Sequence, residues 1–334
     1  MAHLATKRFN YWSQLAIGSV FCGIGFFIAG LLALLFLPGQ LGNHGTSATA
    51  ITESLLKPEN TNLFRWLNSI TAFLFFFLPA IFYALLCHKK PFVHLGFNKG
   101  INIQQILLIV FIMMAALPVV SMLQEITEML PWKHATMLKF KEAEDLYNRQ
   151  VAVMARMNDF SDYLITMVVI AFLPALFEET LFRGGLQNLL SRWFKMPILA
   201  IVVTSVIFSA IHGSYIGFLS RFALSFVLGW MYYRTSNIWL NIIAHFFNNA
   251  FAVTMLYAAS RPGQKIDPSK IDERFPLWYG LVGLIIVIGL FVLFEKLNKK
   301  QIDRPGEEVL IPGGDFLSNP FENEPRFTNQ PPTT

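Results

Sequence analysis

Long apolar runs alternate with short polar breaks along this chain. The runs fall at about 12–37, 66–87, 102–122, 163–182, 197–214, 216–233, 238–258 and 277–295. A helix needs about 20 consecutive apolar residues to cross a bilayer's hydrocarbon core, with about 17–25 tolerated. The pattern therefore predicts an all-α fold: a polytopic membrane helix bundle of about eight transmembrane helices. The pair at 197–233 is the least clearly divided, because only His212, Gly213, Ser214 and Tyr215 separate its halves. The first run follows Lys7 and Arg8 as a signal peptide would. Its length of about 25 residues exceeds the roughly 7–15 of a signal core, so it reads as a retained first helix.

Outside the runs the pattern changes twice. Over 136–157 the apolar residues Met137, Phe140, Tyr147, Val151 and Met154 recur at helical spacing, with Lys139, Lys141, Glu142, Glu144 and Asp145 on the other faces. That predicts an amphipathic helix, within an extramembrane segment of about 123–162, that lies on the membrane or caps the bundle. From Gln301 to Thr334 the chain is rich in Pro, Asn and Glu and poor in apolar residues. This stretch reads as a disordered cytoplasmic tail. Residues 1–300 form the membrane-embedded domain.

Composition agrees with a membrane solvent. Hydrophobic residues make up 54% of the 334 and charged residues 14%, against about 45–50% and about 25% in a soluble domain. The net charge of +5 does not point to nucleic acid. Its Lys and Arg sit between the apolar runs, and no basic patch is interleaved with exposed aromatics. With eight spans, Lys7, Arg8, Lys89, Lys90, Lys99, Arg192, Lys195, Arg234, Lys296, Lys299 and Lys300 all fall on one side. The positive-inside rule then puts both termini in the cytoplasm of a multi-pass plasma (inner) membrane protein. Cys22 and Cys87 both lie in apolar runs and read as small buried hydrophobes.

An ionisable group at mid-bilayer costs about 2.5–3.5 kcal/mol or more, so each one is a functional candidate. The inventory within the runs is Glu178, Glu179, Arg183, His212 and His245. Glu179 and Arg183 are spaced i,i+4 with the acid first, so they share a helix face and pair. Glu178 is five residues from Arg183, about 140° round the helix, and has no partner there. Asn241, His245 and Asn249 form one polar stripe at i, i+4, i+8, with Asn248 beside it. Two histidines, a spare carboxylate and an amide thus come from three helices. Zinc takes histidine nitrogen and carboxylate oxygen, and a catalytic zinc keeps one position open for water. A nearby glutamate accepts that water's proton. No HExxH and no G-x-S-x-G occurs, and no aspartate lies at membrane depth.

Three motifs carry a resemblance: EExxxR at Glu178–Arg183, FxxxH at Phe208–His212 and HxxxN at His245–Asn249. In this order, on successive membrane segments, they resemble the CPBP intramembrane metalloproteases, also called the CAAX amino-terminal protease or Abi family, which includes type II CAAX prenyl endopeptidases. The motif-bearing core covers about 163–258. The resemblance implies that Glu178 activates water, that His212, His245 and Asn249 complete the site, and that Glu179 and Arg183 support it. A divalent metal, zinc, would rest on Glu178, His212, His245 and Asn249.

The reading is therefore an intramembrane endopeptidase. Its partners would be membrane lipids and a membrane-associated protein or peptide, including a prenylated CAAX-type one. A non-catalytic membrane scaffold or bacteriocin-immunity-type protein is the alternative. A small transporter is a third reading, which the lack of visible inverted halves disfavours. The expected spans leave one conflict. Glu178 and His245 fall toward the cytoplasmic half, whereas His212 lies about 15 residues, roughly 22 Å, into span five and so nearer the far side.

Overall fold

The computed structural model describes residues 9–41, 48–259 and 276–298. The tail expected at 301–334 lies outside them, as do Lys7, Arg8, Lys299 and Lys300. Every regular element among the described residues is a helix. In chain order these are α1 (Tyr11–Leu41), α2 (Ala48–Leu55), α3 (Pro58–Cys87), α4 (Pro91–His94), α5 (Ile103–Met129) and α6 (His134–Met154). They continue with α7 (Phe160–Phe194), α8 (Pro197–Ala210), α9 (Phe218–Thr235), α10 (Ile238–Ala259) and α11 (Leu277–Asn298).

All eight apolar runs are helical, but among the described residues six helices, not eight, are long and apolar enough to cross a membrane: α1, α3, α5, α7, α10 and α11. The protein is a multi-pass membrane protein with two shorter inner helices. α8 has 14 residues, about 21 Å of rise against a hydrocarbon core of about 30 Å. α9 has 18 residues but carries Arg221 and Arg234. Large apolar side chains, among them Phe26, Phe27, Leu34, Ile285 and Ile288, face outward, as they must where lipid replaces water. The central apolar cluster joins α5, α9, α10 and α11 through Ile109, Ile112, Met113, Met231, Ala244 and Phe294.

Helix ends follow local signals more closely than hydropathy. α3 starts at Pro58, a favoured first-turn residue, not at the expected 66. α5 opens on a capping box, with Gln104 N donating to Asn102 Oδ1 at 3.0 Å and Asn102 N to Gln105 Oε1 at 3.1 Å. α7 continues past the expected 182 to Phe194. It stops where Lys195 turns left-handed (φ 54°), just before Pro197 opens α8.

Three wide, π-helical stretches interrupt the long helices: Phe73–Phe77 in α3, and Met167–Phe172 and Thr180–Gln187 in α7. The first two each precede a proline, Pro79 and Pro174 respectively. A proline has no N–H for the carbonyl four residues back and its ring crowds that carbonyl; the wider turn relieves both.

α1 lies against this part of α3. A Cβ placed on Gly25 would sit 1.9 Å from Leu74 O, whereas one on Gly30 meets nothing within 4 Å. Leu74 O is backbone and cannot swing aside. Gly25→Ala should therefore cost about 1–3 kcal/mol, the usual penalty for overpacking, and lower the melting temperature in detergent. Gly30→Ala should melt like the parent. Equal melting of the two variants would contradict the close crossing.

Candidate active site

The charges of α7 separate as their spacing requires. Glu179 and Arg183 are both fully buried, and Arg183 Nη1 donates to Glu179 Oε1 at 2.8 Å. Arg183 Nη2 crosses to α9, donating to Ser225 O at 3.0 Å and Ser225 Oγ at 2.8 Å. The guanidinium also lies over the Phe208 ring, 4.9 Å from its centroid. This gives the phenylalanine of FxxxH a packing role. A buried guanidinium is tolerated only with its charge matched and its donors engaged; here Nε alone is left without a partner.

Glu179 does more than neutralise the arginine. Its Oε1 also accepts from His245 Nδ1 at 2.9 Å, and Asn241 Nδ2, held mainly by Leu228 O at 2.6 Å, reaches its Oε2 at 3.5 Å. A carboxylate only accepts, so His245 carries its proton on Nδ1 and its lone pair on Nε2 when neutral. The same reasoning applies to His212, whose Nδ1 lies 2.7 Å from Phe208 O. Both imidazoles are thus fixed in one tautomer by oxygen acceptors.

Glu178 has no such engagement. Its Oε2 is buried and has no hydrogen-bond partner among the described residues. Glu178, His212, His245 and Asn249 all line one cavity of about 460 Å³. Asn249 is tied back to α7, with its Nδ2 3.3 Å from Ile170 O. That carbonyl is the one Pro174, four residues on, cannot serve. Asn249 Oδ1 accepts from Asn248 Nδ2 at 3.3 Å.

The expected depth of His212 is corrected by the length of α7. From Glu178 to Phe194 is 16 residues, about 24 Å of helix; from Pro197 to His212 is 15 residues, about 22 Å back. The outward and return paths nearly match, so His212 comes level with Glu178 just beyond the end of α8. The conflict arose from ending the fourth span at residue 182.

Three contributors to the site escaped the sequence reading. Arg221, inside the expected sixth span, lines the cavity, and the inventory of charges in apolar runs should have included it. Ser225 could not be found, since one serine in a helix carries no signal. The third is α6, whose Tyr147, Val151 and Met154 also line the cavity. Glu144 accepts from Ser214 Oγ, Phe140 stacks on Tyr215 at 4.7 Å and Tyr147 lies under Arg221 at 4.6 Å. On its other side Arg149 grips Glu53 at 2.6 and 3.1 Å, which holds that carboxyl below its ordinary range. The amphipathic helix thus covers the cavity.

Among the described residues, no three His, Cys, Asp or Glu side chains stand close enough to form a metal-holding group. What the site offers is two imidazoles with Nδ1 bound by oxygen, the arrangement metal-ligating histidines commonly show, together with the carboxylate of Glu178.

Residues 160–251, which contain all three motifs, match the family model described as type II CAAX prenyl endopeptidase Rce1-like. The chain is also similar to the uncharacterized protein YpbD of Bacillus subtilis (strain 168), at 35% identity over 88 residues. That stretch covers 25% of this chain and 42% of the relative. No solved structure matches the chain.

The buried network and the spare carboxylate should respond differently to the same chemical change. Glu179→Gln leaves the Arg183 guanidinium buried without a counter-charge, which should cost about 3–5 kcal/mol. Glu178→Gln breaks no ion pair and should melt close to the parent. Thermal unfolding of the two variants in one detergent compares them directly.

Proposed function

We propose that the protein is an intramembrane endopeptidase that hydrolyses a peptide bond of a membrane-associated substrate, a prenylated CAAX-type peptide being the substrate class that the family match suggests. The observation that carries the proposal is the unpartnered carboxylate oxygen of Glu178 in a cavity shared with two tautomer-fixed histidines.

In this reading Glu178 accepts a proton from water, and the water oxygen attacks the scissile carbonyl carbon. The carbonyl oxygen becomes an oxyanion, which the Asn248 and Asn249 amides can meet as hydrogen-bond donors. Glu178 returns the proton to the leaving nitrogen as the C–N bond breaks. Glu179 keeps His245 oriented, and Phe208 O does the same for His212. A divalent ion such as zinc would have to draw the His212 and His245 Nε2 atoms, Glu178 and Asn249 closer together than they stand among the described residues, and would then acidify the water.

Glu178→Gln should abolish cleavage of a prenylated CAAX-type peptide by the purified protein while its melting stays near the parent's. A chelator should remove the activity and zinc should restore it. Activity that survives chelation would take the metal out of the mechanism and leave Glu178 to act alone. Equal cleavage by parent and variant would end the assignment.

The orientation belongs to the same proposal: both termini in the cytoplasm of the plasma membrane. The C-terminal ends of α3, α7, α9 and α11 and the 88–102 segment share one end of the bundle. Arg192 reaches Tyr83 Oη at 3.3 Å, Asn98 Nδ2 donates to Ser236 O at 2.6 Å and Arg234 lies 3.6 Å from Glu295. The basic breaks cluster there, as the positive-inside rule requires of a cytoplasmic face. A cysteine introduced at Lys195 should react with an impermeant maleimide only after the cells are opened; labelling of intact cells would reverse the orientation.

A further inference from the structure

The cavity holds a second charged group that the proposed chemistry does not use. Arg221 stands in the first turn of α9, where the helix dipole disfavours a cation. Its Nη1 is buried and has no hydrogen-bond partner. The guanidinium lies over the Tyr147 ring, 4.6 Å from its centroid. Stacking of this kind fixes the plane and leaves the N–H edge free to donate. Space is kept for it by Gly217, where a Cβ would sit 2.0 Å from Arg221 Nη1.

Nearby acids do not use this donor. Glu144 takes the hydroxyl of Ser214 instead. Glu178 lines the same cavity, yet both it and Arg221 keep a buried polar atom with no partner among the described residues. Opposite charges that share a cavity without pairing leave room between them for a dipolar ligand. A volume of about 460 Å³ lies in the range that buries one drug-sized molecule, a size that the last few residues of a peptide match.

We propose that Arg221 is the residue that binds the free C-terminal carboxylate of the substrate. This rests on the peptidase reading of the cavity. Arg221 is a specificity residue: its planar fork meets a carboxylate with two parallel N–H donors, and the stack on Tyr147 sets that fork's direction.

Binding tests it without requiring turnover. The Glu178→Gln protein in phosphatidylcholine nanodiscs is titrated with a prenylated CAAX-type peptide as free acid, as C-terminal amide, and as an amide with glutamate as its last residue. The free acid should bind at least about tenfold tighter than the plain amide, the scale of one charge-assisted contact. In the Glu178→Gln/Arg221→Gln protein the free acid should bind no better than the amide. Glu178→Gln/Arg221→Lys should keep part of the preference, since an ammonium keeps the charge and loses the fork.

Equal binding of acid and amide in the Glu178→Gln protein would overturn the proposal, and that comparison needs no change at Arg221. So would a preference that survives Arg221→Gln, or a glutamate-ended amide that binds as well as the acid. An Arg221 effect seen only with anionic lipid would overturn it in favour of a headgroup site. Failure of the parent to cleave any peptide, with the binding preference intact, would defeat the peptidase reading instead.

Discussion

The Glu179 carboxylate is fully buried, and one of its oxygens is shared by an arginine and a histidine. Two ions taken out of water lose their hydration, and their attraction repays the loss only when the geometry is good and the remaining donors are satisfied. Here the satisfaction comes from three helices. Arg183 stands one turn along α7 from Glu179, Ser225 comes from α9, and His245 and Asn241 come from α10. Within a membrane apolar contact gives helices little reason to choose each other over lipid. A buried polar knot of this kind therefore sets the register of α7, α9 and α10.

The position of Glu178 follows from the same knot. Successive residues on a helix are about 100° apart. With Glu179 turned into the seam with α9 and α10, its neighbour faces the cavity. One carboxylate is neutralised and held; the other keeps a buried oxygen with no hydrogen-bond partner among the described residues. In the proposed chemistry, structure and reactivity would thus be divided between adjacent residues of one helical turn. Pro174 adds to this arrangement, because the carbonyl of Ile170 that it cannot serve is met by Asn249. A backbone irregularity in α7 in this way helps to aim a side chain of α10.

What was legible in the sequence was local. The i,i+4 spacing of Glu179 and Arg183, the isolation of Glu178 and the stripe Asn241–His245–Asn249 all follow from one helix's geometry. The contacts between helices were not legible: nothing in the spacing says that His245 meets Glu179 and not Glu178. Hydropathy misplaced the ends of α3 and α7 because it counts apolar side chains, while a helix ends where its backbone hydrogen bonds stop. Residues 183–194 are polar enough to end an apolar run, and Gly184-Gly185 offers a break, yet the helix widens there and runs on to Lys195. Arg65 shows the same error. It sits just before the expected second span, yet it is 2% exposed and donates to Met154 O, Arg156 O and Thr166 Oγ1, joining α3 to the end of α6 and the start of α7.

The proposed peptide hydrolysis inside a membrane would make opposing demands: water would have to reach the carboxylate, and lipid would have to be kept out. The cavity wall answers the second demand through α5, α7, α9 and α10. The side facing α6 answers the first. That helix buries none of its residues; along its length it is held by Glu144 on Ser214, Phe140 on Tyr215, Tyr147 under Arg221 and the exposed Arg149–Glu53 pair, and at its end by the buried Arg65 on Met154 O. Segments with few buried apolar contacts open at far lower free energy than the core they cover. Along most of its length the cover is therefore lightly held. Two of its fastenings, Tyr147 and Glu144, rest against the first turn of α9 and the loop before it, on Arg221 and Ser214.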